Sequence, residues 1–297
     1  MFNWKLCVST YGRKEPMILQ MLDKDPNLVI DFFVRGEDYD SGFYDELMKK
    51  ERVNVHSLGY GLHELGLSRH RIMCWCLQNN VDFCCMFDDG IVDVNHADYP
   101  NMTISQVFNT IVQIMLEDEM RDDVVGFTLH KRIGHYIDGS TIVCDQTKLS
   151  NARYFISFPA QAVVLNVKKA FERGVTYKSL DDVGFEDCAF FADAVKARLV
   201  YCSRKAITID GIVPNAKKVG GSHTATENLQ HKYDVQNARC MKYIGNMMGV
   251  SIEQRYRSYA NCCLAYIIWD ADFFREVLCD KPEQNKEIIE RKFMREY

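Results

Sequence analysis

Two adjacent aspartates carry the sharpest chemical signal in this sequence of 297 residues. Asp88 and Asp89 follow an apolar run at 81–87 and precede Gly90. Carboxylate oxygens are preferred ligands of hard divalent cations such as Mg²⁺ and Mn²⁺, which can bridge the oxygens of a phosphate. We therefore expect a metal site at this point of the chain. Because Asp-Gly is also a common turn sequence, a plain β-hairpin is the alternative.

Two arginines stand upstream of the aspartate pair. Arg69 and Arg71 open a predicted helix at 67–79, with Ser68 as its cap. Guanidinium groups near a helix N-terminus suit a diphosphate or a sugar hydroxyl, because the helix dipole already favours anions there. We expect both arginines to serve a ligand rather than the core. Solvated surface arginines are the commoner alternative.

A second polar segment follows the first predicted strand. Thr10, Tyr11 and Arg13 offer a hydroxyl, an aromatic face and a cation. The phosphate-binding patterns GxxxxGK[ST] and GxGxxG do not occur in the sequence. ATPase and dinucleotide dehydrogenase activities therefore lose support.

Three more candidate residues lie further along the chain. Glu186 and Asp187 begin a predicted helix, where a carboxylate can act as a general base or simply complement the helix dipole. His223 follows Gly220-Gly-Ser. A lone histidine is usually solvated, so His223 becomes a candidate metal ligand only beside the aspartate pair.

An alternation of strands and helices would bring these residues together. Apolar and β-rich runs predict strands at 4–10, 28–35, 53–58 and 81–87, separated by helical patterns. This order predicts an α/β fold with an open, mostly parallel sheet flanked by helices. Ligands of such sheets bind at the carboxyl ends of the strands. Further strands are predicted at 124–129, 142–145, 162–166 and 199–202, with helices at 43–51, 103–116 and 185–197.

The sequence pattern changes near residue 227: beyond it, helical patterns occur without clear strand patterns. We therefore divide the chain into a catalytic domain at 1–226 and a helical C-terminal extension at 227–297 that packs on it. The extension carries the best candidate for a phosphate-contacting surface in an acidic protein of net charge −5. Tyrosines are interleaved with its cations, although these tyrosines could instead fill a core. The cations are Lys232, Arg239, Lys242, Arg255 and Arg257.

Twelve cysteines are scattered over the sequence without a CxxC pair. Structural zinc sites need closely spaced pairs of thiolates, so this distribution favours buried free thiols in a reducing compartment. No apolar run approaches the length of a membrane span. We expect a cytoplasmic protein with no membrane association.

Taken together, these segments resemble the GT-A-fold glycosyltransferases. The resemblance covers about residues 3–225 and rests on T-Y-G-R after the first strand, S-R-x-R-I in the helix, M-F-D-D-G, G-F-E-D-C and the trailing histidine. The arrangement is more specifically similar to TET-associated glycosyltransferases and related phage enzymes. Those enzymes add sugars to hydroxymethylated pyrimidines, such as hydroxymethylcytosine, in DNA.

The resemblance implies transfer of a sugar from a nucleotide-sugar, expected to be UDP-linked, to a hydroxyl acceptor with the help of Mn²⁺ or Mg²⁺. It also implies roles for individual residues. Thr10, Tyr11 and Arg13 would contact the donor nucleotide, Asp88 the donor, Asp89 and His223 the metal, and Glu186 or Asp187 the acceptor side.

Three alternatives remain open. The same chemistry could act on a glycan, a protein or a small molecule. Gly90 stands where many relatives carry a third polar residue, which is consistent with a binding module that has lost activity. A two-metal nuclease would need more converging carboxylates than Asp88, Asp89 and Asp93 supply.

Overall fold

The computed structural model describes residues 2–62, 65–117, 124–131, 162–178, 186–197, 199–202 and 206–211. The strands are β1 Trp4–Ser9, β2 Ile30–Val34, β3 Val53–Ser57, β4 Phe83–Asp88, β5 Ile91–His96, β6 Val124–Thr128, β7 His130–Lys131, β8 Ala162–Asn166, β9 Val200–Cys202 and β10 Ile207–Gly211. The helices are α1 Gln20–Lys24, α2 Gly36–Asp40, α3 Asp45–Met48, α4 Leu65–Gln78, α5 Ile104–Glu117, α6 Val167–Glu172 and α7 Glu186–Lys196. The proposed extension at 227–297 and the predicted strand at 142–145 lie outside the described residues.

The main sheet confirms the predicted α/β class. Among the described residues its strand order is β3-β2-β1-β4-β8-β6-β9. β1 runs parallel to β2 and β4, β2 parallel to β3, and β6 parallel to β9. β8 runs antiparallel to both of its neighbours, β4 and β6. The sheet is therefore open and mostly parallel, as the alternation of strands and helices predicts.

A smaller sheet, which the sequence patterns do not predict, lies beside the main one. Its strand order is β5-β10-β7. β5 follows directly after the Asp-Gly turn, yet it pairs antiparallel with β10 near the end of the described chain. The aspartate pair is therefore not the tip of a plain hairpin. It stands where the chain leaves one sheet and enters the other.

Apolar strands and one-sided helices make up the core. β2 and β4 are buried along almost their whole length, as expected for central strands covered on both faces. α5 buries one face that includes Val107, Phe108 and Ile111. The predicted helix at 43–51 is shorter in the structure, spanning Asp45–Met48, and α2 precedes it. No helix in the described ranges combines the length and apolar character needed to cross a bilayer.

Candidate active site

The candidate residues of the first half meet at the carboxyl edge of the main sheet. Thr10 follows β1, and Asp88 ends β4, where it pairs in register with Ser9. The Thr10 amide donates to the Phe33 carbonyl at 3.2 Å, which ties the end of β1 to the end of β2. Three neighbouring parallel strands thus end together, as the rule for ligand sites in open α/β sheets requires.

Asp89 is held by the segment after β1. Its carboxylate accepts a hydrogen bond of 2.8 Å from the Thr10 hydroxyl and forms an ion pair with Arg13. Burial raises the pKa of Asp89, although Arg13 and Thr10 oppose that rise. Two of the residues predicted to contact a donor nucleotide, Thr10 and Arg13, therefore contact one of the predicted metal ligands.

Asp88 faces a different arginine. Its carboxylate lies 3.2 Å from Nη2 of Arg69. Desolvation, together with the charges of Asp89 and Glu186, outweighs the attraction of Arg69 and raises the pKa of Asp88 to about 6. Because 42 % of the Asp88 side chain still meets solvent, a ligand can reach this carboxylate.

Arg69 lies in the core, with only 6 % of its side chain exposed. Its Nη1 lies 2.8 Å from Oε1 of Glu186, and its guanidinium group stands 5.4 Å from the centre of the Tyr177 ring. Burial alone would lower the pKa of Arg69, but Glu186, Tyr177 and Asp88 raise it, so the group stays charged. Arg69 is predicted to serve a ligand rather than the core. Its side chain is buried among partners that compensate for its desolvation, and its role toward a ligand stays a prediction.

The contact between Arg69 and Glu186 depends on a close approach of α4 to α7. A Cβ atom on Gly66 would collide with the carbonyl oxygen of Lys178 and lie 2.9 Å from Cβ of Glu186. Glycine at this position therefore lets the beginnings of the two helices meet. Glu186 and Asp187, the predicted acceptor-side carboxylates, are both buried there.

The remaining predicted donor residues lie along the same edge. Arg71 donates from Nη1 to the Leu58 carbonyl and is half-buried. Tyr11 is 40 % exposed, and the guanidinium group of Arg35 stands 4.1 Å from the centre of its ring. Arg35 is itself fixed by two hydrogen bonds to Asp38, of 2.9 and 3.0 Å. The partly exposed ring of Tyr11, with the guanidinium group of Arg35 over it, thus lies at this edge of the sheet.

Sequence reasoning missed several residues that shape this edge. Tyr177 lies beneath Arg69 and stacks on Phe190 with ring centres 4.4 Å apart. The hydroxyl of Tyr44 accepts a hydrogen bond of 3.2 Å from the Gly12 amide and steadies the segment after β1. Neither tyrosine belongs to a local pattern that marks it. His223 and the five predicted DNA-contacting cations lie outside the described residues, so their roles stay predictions.

The residues present fit a hard divalent cation. Asp88 and Asp89 offer two carboxylates at and just after the end of β4, and Mg²⁺ is commonly bound through one or two carboxylates and the phosphates of a substrate. Among the described residues, no third His, Cys, Asp or Glu side chain lies close enough to complete a site with them. Asp89 would exchange its bond to Arg13 for such an ion.

No protein-family model matches the chain, and no curated protein matches its sequence. Among solved structures, GalNAc-T7, solved with UDP, GalNAc and Mn²⁺, is similar with a TM-score of 0.53 and 9% identity, over 97% of this chain and 56% of that one. The chain thus spans little more than half of that protein's length. This likeness shows a GT-A-like fold, as the resemblance implies.

Two other solved structures are similar at lower TM-score. The glycosyltransferase GlyE of Streptococcus pneumoniae has a TM-score of 0.39 and 12% identity, over 97% of this chain and 60% of that one. The 4-diphosphocytidyl-2C-methyl-D-erythritol synthase of Anaerococcus prevotii has a TM-score of 0.39 and 11% identity, over 73% of this chain and 92% of that one. Nothing in these comparisons points to enzymes that modify DNA bases.

The first prediction concerns how much the ion pairs of Arg69 with Asp88 and Glu186 contribute to the stability of the fold. Replacing Arg69 by Met keeps the apolar stem but leaves the buried Glu186 carboxylate without this partner, which should lower the free energy of unfolding by about 3 kcal/mol. Chemical denaturation followed by circular dichroism measures the change. Arg52→Met is the matched control, because Arg52 contacts only backbone carbonyl groups in its described hydrogen bonds. Equal stability of Arg69→Met and wild type would contradict the assignment.

The second prediction follows from the raised pKa of Asp88. A carboxyl group with a pKa of about 6 is protonated below that pH and then cannot bind a cation. Affinity for Mn²⁺ in the presence of UDP should therefore weaken about tenfold between pH 7 and pH 5, as titration of one group requires. Calorimetric titration measures this step, and Asp88→Asn should remove it. A step of the same size in the variant would show that another group titrates.

Proposed function

We propose that this chain is a glycosyltransferase that moves a sugar from a UDP-linked donor, the nucleotide that GalNAc-T7 was solved with, to a hydroxyl acceptor with the help of Mn²⁺ or Mg²⁺. One observation carries the proposal. Asp88 and Asp89 stand at the carboxyl end of β4 in a GT-A-like sheet, Asp88 beside Arg69 of α4 and Asp89 beside Arg13 of the segment after β1. Carboxylates for a cation and guanidinium groups for a diphosphate occupy the same edge.

The donor side uses the segment after β1. A divalent cation held by Asp88 and Asp89 would supply positive charge that stabilises the departing diphosphate. Arg13, once freed from Asp89, is placed to contact the same diphosphate oxygens. Tyr11 presents an exposed ring that suits stacking on the base of the nucleotide. His223 completes the proposed ligand set of the metal, on the strength of the resemblance alone.

The acceptor side uses the beginning of α7. The Glu186 carboxylate is engaged with Arg69, so we assign it to positioning Asp88 through that guanidinium group. Asp187, the next residue, then accepts the proton of the incoming hydroxyl. The amide variants Glu186→Gln and Asp187→Asn separate these two roles.

The acceptor that we propose is a hydroxymethylated pyrimidine base in DNA. Two features support this choice: the resemblance to enzymes with that acceptor, and the basic, tyrosine-rich segment between Lys232 and Arg257. A base inside a duplex must be flipped out to reach a donor, and an exposed base can stack on tyrosine. Glycans, proteins and small molecules are the competing acceptors.

The third prediction tests the transfer reaction. Nucleosides from hydroxymethylated DNA, incubated with the protein, Mn²⁺ and a panel of nucleotide-sugars, should gain the mass of one sugar in mass spectrometry. Asp89→Ala and excess chelator should each reduce the yield by at least about 100-fold, because charge stabilisation of the leaving group is lost. Asp93→Ala is the matched control and should keep the wild-type yield, since Asp93 pairs with Lys24 rather than with Arg13 or Arg69.

Two outcomes would overturn parts of this proposal. Full activity of Asp89→Ala, or full activity in chelator, would remove the metal site. Donor binding without transfer to any DNA, glycan or protein acceptor would favour a binding module that has lost activity.

The fourth prediction tests the DNA surface. If Arg255 and Arg257 contact phosphates, removing both should flatten the plot of log affinity against log salt by about two units. Fluorescence anisotropy with labelled DNA measures the slope. The double variant Lys49→Ala, Lys168→Ala removes two exposed cations of the described domain and should leave the slope unchanged. An unchanged slope in the arginine variant would exclude this segment from the DNA site.

A further inference from the structure

Three cysteines that are far apart in the sequence meet in the core. Cys7 lies in β1, Cys76 in α4 and Cys84 in β4, and none of the three is exposed. Their Sγ atoms all lie within 4.8 Å of one another, and those of Cys7 and Cys76 are 3.9 Å apart. We call this group the thiol cluster.

Strand register and helix packing explain the thiol cluster. β1 and β4 are adjacent parallel strands in which Cys7 pairs with Met86 and Lys5 with Cys84. Because side chains alternate between the faces of a strand, Cys7 and Cys84 share one face of the sheet, and Cys85 belongs to the other. α4 contacts both β1 and β4 and brings Cys76 onto the shared face.

The spacing of the sulfur atoms matches that of metal ligands. Thiolates bind zinc at about 2.3 Å, and three sulfurs at such a distance around one central ion are about 4 Å apart. The 3.9 Å between Cys7 and Cys76 agrees with this value. The cluster therefore needs little movement to close around an ion.

The number of ligands selects the kind of ion. Thiolates favour soft ions, chiefly Cu(I) and zinc. Structural zinc sites are almost always four-coordinate. Among the described residues, however, no fourth His, Cys, Asp or Glu joins this group of three. A soft ion that accepts three sulfur ligands fits better than zinc.

We propose that Cys7, Cys76 and Cys84 form a binding site for one soft, three-coordinate metal ion of the Cu(I) class. Each thiol that becomes a ligand exchanges its S–H bond for a metal–sulfur bond and releases its proton to solvent, while no oxidation state changes. Two of the three ligands belong to the elements that carry Arg69 and Asp88, and the third belongs to β1, which Thr10 directly follows. An ion that binds only the folded chain would therefore stabilise the packing of β1, α4 and β4, the elements on which the candidate active site is built.

The fifth prediction is that the thiol cluster binds Cu(I). It is measured by competition for Cu(I) between the reduced full chain and a coloured Cu(I) chelator, in the absence of oxygen. We expect one tightly bound ion per chain. Cys76→Ala and Cys84→Ala should weaken its affinity by more than about 100-fold, the upper range for losing only an outer-shell partner. Cys74→Ala and Cys85→Ala are matched controls, from the same helix and the same strand, and should keep the wild-type affinity.

A second measurement needs no variant. X-ray absorption of wild-type protein loaded with one equivalent of Cu(I) should show three sulfur ligands at about 2.3 Å. Nitrogen or oxygen ligands, or only two sulfurs, would overturn the proposal. So would equal affinity in wild type, Cys76→Ala and Cys84→Ala, or failure of the chain to compete with the chelator.

Discussion

The buried guanidinium group of Arg69 is the interaction on which the candidate site depends. A charge without water needs partners at hydrogen-bonding distance, and Arg69 finds Asp88 at 3.2 Å and Glu186 at 2.8 Å. These partners belong to β4 and α7, whereas Arg69 belongs to α4. One desolvated cation thus sets the relative positions of the strand end that carries the aspartate pair and the helix that carries Glu186 and Asp187.

Adjacent aspartates at a strand end do not share one partner. Asp88 turns toward Arg69 in the core, and Asp89 toward Thr10 and Arg13 in the segment after β1. The first pair is built into the packing of α4 and α7. The second pair lies on a loop, where a guanidinium group can exchange for another cation at lower cost. This difference supports a site in which Asp88 stays fixed while Asp89 and Arg13 respond to the donor.

The α/β class and much of the candidate edge follow from local patterns. The apolar runs that became β1, β2 and β4 are long enough to predict buried strands, and Thr10, Asp88 and Asp89 stand at or just after their ends. The smaller sheet could not be predicted in this way. The alternation of polar and apolar residues in β5 suits a strand but does not identify its partner, and its main partner, β10, lies near the other end of the described chain.

The sequence by itself determined the order of strands and helices and the placing of carboxylates at strand ends, because backbone periodicity depends on neighbouring residues. Only the tertiary structure decided that Arg69 is buried and that Cys7, Cys76 and Cys84 meet. From the sequence alone, an arginine before an apolar strand is most simply a surface cation, because nothing local shows that Glu186 of a distant helix lies beside it. Likewise, scattered thiols are most simply small apolar core residues, because nothing local shows that β1, α4 and β4 bring three of them together. The fate of a charge or a thiol depends on which distant groups surround it, and local spacing does not record that.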